Sequence, residues 1–530
     1  MGVFFKYMRG VRRMIARQLS GRSRILTDER EINRENVLDV LYKAFEKHRQ
    51  NQADIQYLLD YKGGEQPLLR EKLIRPEIDI YNIINAAEYI SWFHTAYFWS
   101  QPPLLVQRSD VEVPEHDAEM DDSGINKLNA MLYNGEDLRQ KEIDLAEFVE
   151  VAGIGYMMAD YKTEDDLAVN SESFANIYML DPRYTFCVYL NAPGNRKMMA
   201  VSYSEPTTKR RPTKFTVYTA NRIYEVEGLS KSRATVNEKI NLLGMIPIVE
   251  YTRAADRYGV FEHHMQELNL LNTICSDFAN DVSQNVQEIK WANDIDFPVD
   301  ENGNPIKPTS GQWLLTHSGA DKNPKIESIG SNLDRASALS TIQFQWNNVL
   351  QLCRVPVQYD SAGGGSTGTA TSMASGWTTT ELDAELKEGL IETAHKELLR
   401  LILKAIELVP KRYLSEEDPL RNVRMMDIDF QFMRNKSYDM TVKMNAFATG
   451  IKCGINGRHL LKWIEAFPDV EAVWLDSKEM IEAYQKAQVS DAVTSESSSD
   501  GDDRIASDNS DQIDTSPFID GMTRTAGRGT

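Results

Sequence analysis

VFEHHMQELNLLNTICSDFANDVSQNVQEI, residues 260–289, is the stretch on which the reading of this chain turns. Phe261, Met265, Leu268, Leu271, Cys275, Phe278, Val282, Val286 and Ile289 recur at spacings of three and four, which predicts one long amphipathic helix. Asn280, Asp281 and Gln284 fall on its other face. The period breaks over residues 294–330, a turn-rich stretch that holds DENGNP at 300–305 and a predicted strand at 312–316. It returns with Leu339, Ile342, Trp346, Val349 and Cys353 on one stripe. Helix, small β-containing excursion and returning helix outline a hairpin arm.

Working outward, residues 361–376 read SAGGGSTGTATSMASG and lead into a predicted helix over 381–409 that Pro410 closes. Alternation at Met426, Ile428, Phe430 and Phe432 then predicts a strand, with Asp427 and Asp429 on its solvent face. A helical cluster occupies 436–488, and the Ser, Asp, Thr and Gly composition after 489 cannot bury enough apolar area to order itself. Upstream, residues 28–61 read as a helix ending at Gly63 and Gly64. A second helix after Pro76 packs Ile80, Ile83, Ile84, Ala87, Ile90 and Phe93, and a third runs over 125–151. Short alternating runs at 156–161, 176–180 and 215–226, with a buried strand at 242–251 carrying Pro247, make the middle region α+β.

With 530 residues the chain needs several domains, and 42% apolar residues suffice to fold most of it. A formal charge of −20 argues against tight neutralisation of nucleic-acid phosphates. Cys187, Cys275, Cys353 and Cys453 form no C-x-x-C pair and read as small buried apolar residues. The most apolar run, 78–99, holds Asn82, Asn85, Glu88 and His94, too polar for a free membrane span. Residues 1–24 carry Lys6 and six arginines with no acid, a basic amphipathic arm suited to a neighbouring subunit, an acidic partner or DNA.

Two motifs invite chemistry and fail on inspection. Gly363-x-x-x-x-Gly368-Thr369 imitates a phosphate-binding loop but lacks the lysine that neutralises β and γ phosphates, so a loop needing close backbone approach is the better reading. His263 and His264 beside Glu262 and Glu267 read as a solvated helix start without metal-ligand spacing. No nucleophile, base and orienting-acid grouping appears, so neither catalysis, a cofactor nor a metal is expected.

In the order of its segments the chain resembles the portal proteins, or head-to-tail connectors, of long-tailed siphophages over residues 50–488. The matching places are YLLDYKGGEQPLLR at 57–70, the Asn85-led helix ending at Tyr97-Phe98 before Pro102, AGIGYMMADY at 152–161 and Leu180-Asp181-Pro182. Further along they are IPIVEY at 246–251, Thr367-Gly368-Thr369-Ala370 with Gly376-Trp377, Asp429-Phe430 through Asn435, and Phe467-Pro468-Asp469-Val470.

The resemblance implies a mainly helical α+β portal fold assembled as a homododecameric ring. Its parts would be an arm and first helix (1–56), a wing (57–255 and 377–435), stem helices (256–290 and 331–354), a clip (291–330), a tunnel loop (355–376), a crown (436–488) and an acidic tail (489–530). Implied partners are the terminase large subunit, major capsid and scaffolding proteins, head-completion and neck adaptors, and double-stranded DNA passing non-specifically through the channel, with no membrane. Implied sites are Ser361, Gly363, Gly364, Gly365, Ser366, Thr367, Gly368 and Thr369 against DNA, and Asp300, Glu301, Asn302, Gly303, Asn304 and Pro305 for docking at the clip. The expected setting is the virion vertex after assembly in the host cytoplasm. Two other readings stand beside it, a tail or baseplate adaptor ring and a P-loop packaging ATPase. The basic arm lies outside the shared pattern, and lysines common in family tunnel loops are absent between Gln358 and Thr380.

Overall fold

A computed structural model describes residues 19, 21–68, 79–107, 124–169, 172–205, 212–230, 233–286, 289–293, 325–329, 335–357, 376–432, 434, 440–464, 474, 477–478 and 480–481. The chain divides into two units, Met1–Asn435 and Lys436–Thr530.

The first unit opens with strand β1 (Ile25–Thr27), helix α1 (Val37–Lys62), helix α2 (Ala86–Phe98) and strand β2 (Leu104–Gln107). Helix α3 (Gly124–Ala130) passes through a π turn at Met131–Gly135 before α4 (Leu138–Ala152). Asp137 at φ 49° interrupts the single helix expected over 125–151. Then come β3 (Ile154–Tyr161), α5 (Glu164–Val169), β4 (Ala175–Leu180), β5 (Thr185–Leu190), β6 (Lys197–Ser204), β7 (Lys214–Tyr218), β8 (Arg222–Glu227), β9 (Thr235–Ile240) and β10 (Ile248–Thr252). Helix α6 (Met265–Val286) is followed by β11 (Ile289–Asn293), β12 (Lys325–Ile329), α7 (Arg335–Leu352), α8 (Trp377–Glu407) and β13 (Ile428–Gln431).

Six strands in the order β1-β5-β6-β7-β8-β9 form the larger sheet, antiparallel except for the parallel β1–β5 edge. One face takes the first half of α1, whose Val37, Val40, Leu41 and Ala44 pack on Phe186, Val201, Phe215 and Val217. A three-stranded sheet, β10-β3-β4, lies against α4 and α8 in the main core. Burial on both faces removes alternation from β5, and β6 and β9 were likewise not anticipated from the sequence.

Helices α6 and α7 pack together through Leu268, Leu271, Cys275, Val349, Leu350 and Cys353, beside the second half of α1. Beyond them β11 pairs antiparallel with β12, so Ile289 belongs to a strand and not to the end of the helix. The strand expected at 312–316 lies outside the described residues. Val282, on the expected stripe, is exposed.

A polar strip beside the apolar stripe of α6 departs most from the sequence reading, because Asn272, Ser276 and Asn280 are buried. Residues 79–85, expected to be helical, run extended along them. The Ile80 N–H donates to Asn280 Oδ1 at 2.9 Å, the Asn82 N–H to Ser276 Oγ at 3.0 Å and the Ile84 N–H to Asn272 Oδ1 at 2.9 Å. Ser276 Oγ and Asn280 Nδ2 donate back to the Asn82 and Ile80 carbonyls. The amides of Gln66 and Asn85 extend the network to the C-terminus of α1. Helix α2 therefore begins only at Ala86, and polar side chains of α6 supply backbone hydrogen bonds that a strand partner would give.

In the second unit α9 (Met440–Lys452) packs against α10 (Gly457–Ile464), with Gly450 so close to Leu460 that a Cβ would overlap it. Cys453 is exposed here, against expectation, while Cys187, Cys275 and Cys353 are buried.

Candidate functional site

The glycine-rich segment is the natural place to look for function, and the described residues hold both of its ends. Ser361, Gly363, Gly364, Gly365, Ser366, Thr367, Gly368 and Thr369 lie outside them, as do Asp300, Glu301, Asn302, Gly303, Asn304 and Pro305. On the upstream side Arg354, two residues past the end of α7, has a φ of 61° that turns the chain sharply. Downstream, Gly376 adopts φ 87° and α8 starts at Trp377, four residues before the expected start at Glu381.

These ends are tied to one another. Thr380 Oγ1 donates to the Arg354 carbonyl at 2.7 Å, and the Arg354 guanidinium meets Asp383 Oδ1 at 2.5 Å. Asp383 Oδ2 accepts from Arg253 at 2.8 Å, at the end of β10. Arg253 in turn reaches Glu150 Oε2 on α4 at 3.1 Å. The other Glu150 oxygen accepts from Lys387 Nζ at 2.5 Å and from the Trp99 indole at 3.0 Å. Lys387 also lies 4.4 Å from the Phe98 ring centroid. Asp383 and Lys387 sit four apart on the face of α8 that buries Ala384 and Ile391, so helical geometry points both into the core.

Such a network is viable only because its members satisfy one another. Burial would raise the Glu150 carboxyl, but Lys387 and Arg253 outweigh it and hold it at about 2. Burial depresses the Lys387 ammonium, with Glu150 opposing. The short contact between them, with Arg253 on the second oxygen, favours the ion pair at neutral pH. Burial takes His94 down to about 4, with Lys387 and Arg253 adding to the effect against Glu150. Neutral His94 donates from Nε2 to the Cys353 carbonyl at 2.9 Å, fixing the last turn of α7 from the α2 side.

A second buried cluster fixes the start of α6. Arg22 pairs with Glu262, whose other oxygen accepts from the Gly259 N–H at 2.9 Å. Arg257 pairs with Glu250, which also accepts from Tyr156 at 2.9 Å and Tyr189 at 3.0 Å. A Cβ on Gly259 would lie 2.0 Å from the Val151 carbonyl oxygen, and one on Gly153 would lie 2.4 Å from that of Arg257. Two backbones cross here at a distance that only glycine permits. Arg22 is thus part of the folded body and not of a projecting arm.

His263 stacks on Tyr258 and contacts Asp256, and His264 is half-buried. Among the described residues no group of three or more His, Cys, Asp or Glu side chains could hold a metal ion. Burial pushes the Cys187 and Cys353 thiols up to about 12, which keeps them protonated.

The sequence profile of the family described as phage portal protein, SPP1 Gp6-like, matches residues 15–489. The chain belongs to this portal family. As a phage portal protein it is a component of the virion capsid, in a family whose members are structural and not enzymatic. The match begins well before residue 50, so residues 15–24, set apart as an arm beyond the family pattern, fall within it, in keeping with the burial of Arg22. Curated proteins give no match to the chain. No described helix of the portal protein is long and apolar enough to cross a membrane.

Proposed function

We propose that about twelve copies of this portal protein close into a ring at one capsid vertex and that double-stranded DNA enters and leaves through its centre. In this reading α6 and α7 are the stem, residues 291–330 the clip that receives terminase and later the neck proteins, and residues 436–488 the crown. Residues 355–376 are the tunnel loop. The observation that supports it most is the clamp on that loop: Arg354, Thr380 and Asp383 hold both ends in one place, while residues 355–380 contain no Lys or Arg. A loop anchored so firmly yet free of cations suits a collar past which phosphates slide, because each ion pair would add to the barrier for the next step. Hydroxyls of Ser366, Thr367 and Thr369 offer transient hydrogen bonds instead. The work of packing then comes from a separate ATPase.

Native mass spectrometry and electron microscopy of the purified chain test this reading. Closed rings of about twelve subunits with a central hole are expected without nucleotide or metal. Monomers or dimers alone at micromolar concentration would refute it.

A further inference from the structure

On α8 the exposed residues Leu382, Leu386, Gly389, Leu390 and Thr393 follow one another at spacings of one, three and four and share one face. Leu386 is 79% exposed and Leu382 56%. Gly389 sits in the middle of this leucine face, within a helix of 31 residues, where glycine weakens the helix relative to alanine. No close packing among the described residues explains it: a Cβ at Gly389 would meet nothing within 4 Å. The fold thus keeps an open notch on a ridge of leucines that no described part of the chain fills.

The same unit displays a knob of complementary character. Tyr89 and Trp92 project from α2 and join Trp346 of α7, with ring centroids 6.2 and 6.0 Å apart, and Trp92 is 58% exposed. Phe93 and Tyr97 stack on each other and flank Trp377, the first residue of α8. That contact sets α2 beside the start of α8, so knob and notch belong to adjoining helices of one rigid core. Large rigid aromatics that insert into well-packed recesses are what carry most interface energy.

We infer that the Tyr89–Trp92 knob of one copy seats on the Leu382–Leu386–Gly389–Leu390 face of the next, making the two halves of a head-to-tail contact. The inference rests on the ring reading and deepens it. A ring built by rotation needs two different, mutually complementary patches on each subunit, whereas a two-fold dimer needs one patch that matches itself. The occupant of the notch is therefore a second copy of this chain, which itself carries the matching knob.

The test uses the full chain with Trp92→Glu, Leu386→Glu and Gly389→Gln, all at exposed positions, followed by native mass spectrometry and thermal melting. Wild type is expected to form rings, and Trp92→Glu and Leu386→Glu to remain monomeric when each is alone. Mixed in equal amounts, those two should stop at dimers, because the intact knob of the Leu386→Glu chain fits the intact notch of the Trp92→Glu chain and leaves only blocked faces. Gly389→Gln should melt about 1–3 °C higher through better helix propensity while assembling more than about tenfold more weakly. A merely structural role for Gly389 cannot move those two readouts in opposite directions. Undiminished rings from any of the three variants, or failure of the mixture to dimerise, overturns the inference while the ring reading stands. A monomeric wild type overturns both.

Discussion

Glu150→Gln keeps the shape of a fully buried side chain and removes the one charge that Lys387 and Arg253 share. In the wild type its two oxygens accept from Lys387, Trp99 and Arg253. Glutamine turns one acceptor into a donor, so one of these contacts becomes donor against donor, and the Lys387 ammonium loses its counter-ion inside the core. Breaking a buried pair on one side costs about 3–5 kcal/mol. The proton balance gives an independent figure. A carboxyl held at about 2 in place of 4.5 is worth about 3 kcal/mol in the folded state at neutral pH. Because the folded value is the lower one, this stability is fully present above pH 4.5 and is lost as pH falls toward 2. Urea unfolding followed by tryptophan fluorescence should therefore show a loss of about 3 kcal/mol at pH 7 that shrinks between pH 4.5 and 2. The apolar double variant Glu150→Met with Lys387→Met should recover much of it, since no charge is then stranded. A loss below about 1 kcal/mol at pH 7, or one unchanged at pH 3, would refute the reasoning.

Gly259→Ala should be among the most damaging single changes, at more than about 4 kcal/mol, because the added methyl meets the Val151 carbonyl and neither backbone can yield; a soluble variant with wild-type melting would contradict it. Asn272→Ala should cost about 1–3 kcal/mol by orphaning the Ile84 N–H, and hydrogen exchange should speed up at Ile84 more than at Ile80. Equal rates at the two amides would show that the side chain carries no part of the protection. Thr367→Lys with Thr369→Lys should leave rings intact and slow DNA packaging at low salt, with the rate recovering as salt rises; normal packaging at low salt would remove the loop from the channel wall.

The elements most legible in the sequence were those with a one-sided apolar stripe. Helices α1, α6 and α7 follow from spacings of three and four, with errors at their ends that have physical causes. The helix expected over 28–61 includes residues 28–36, but Asn33 and Asn36 side chains bond the local backbone and delay α1 to Val37. Ile80, Ile83 and Ile84 carried helical spacing, yet their segment is extended because α6 satisfies its main chain. The buried ion network was missed altogether, although Asp383 and Lys387 fall on the same stripe as Ala384 and Ile391. A charge on an apolar stripe is the signal that could have found them; Glu150, Arg253 and Arg354 have no such signature, since only the tertiary fold brings them to α8. Asp427 shows the opposite error, since it lies in a short 3-10 turn that ends before β13 begins.

The Asn272, Ser276 and Asn280 ladder sets a limit on its own length. Four residues of helix advance about 6.0 Å, whereas two residues of strand advance about 6.6 Å. The two scales behave like a vernier: aligned at Ser276, they are out of step by about 0.6 Å at each neighbouring rung. Side-chain torsion can absorb that and still give the bonds of 2.9 and 3.0 Å seen here. A rung further out would be displaced by about 1.2 Å, beyond the tolerance of a good hydrogen bond. A helix can therefore read an extended chain for about three rungs and no more, and sliding residues 79–85 along α6 would move every rung out of phase together. The contact between them has one registry, and shifting it means releasing all of it.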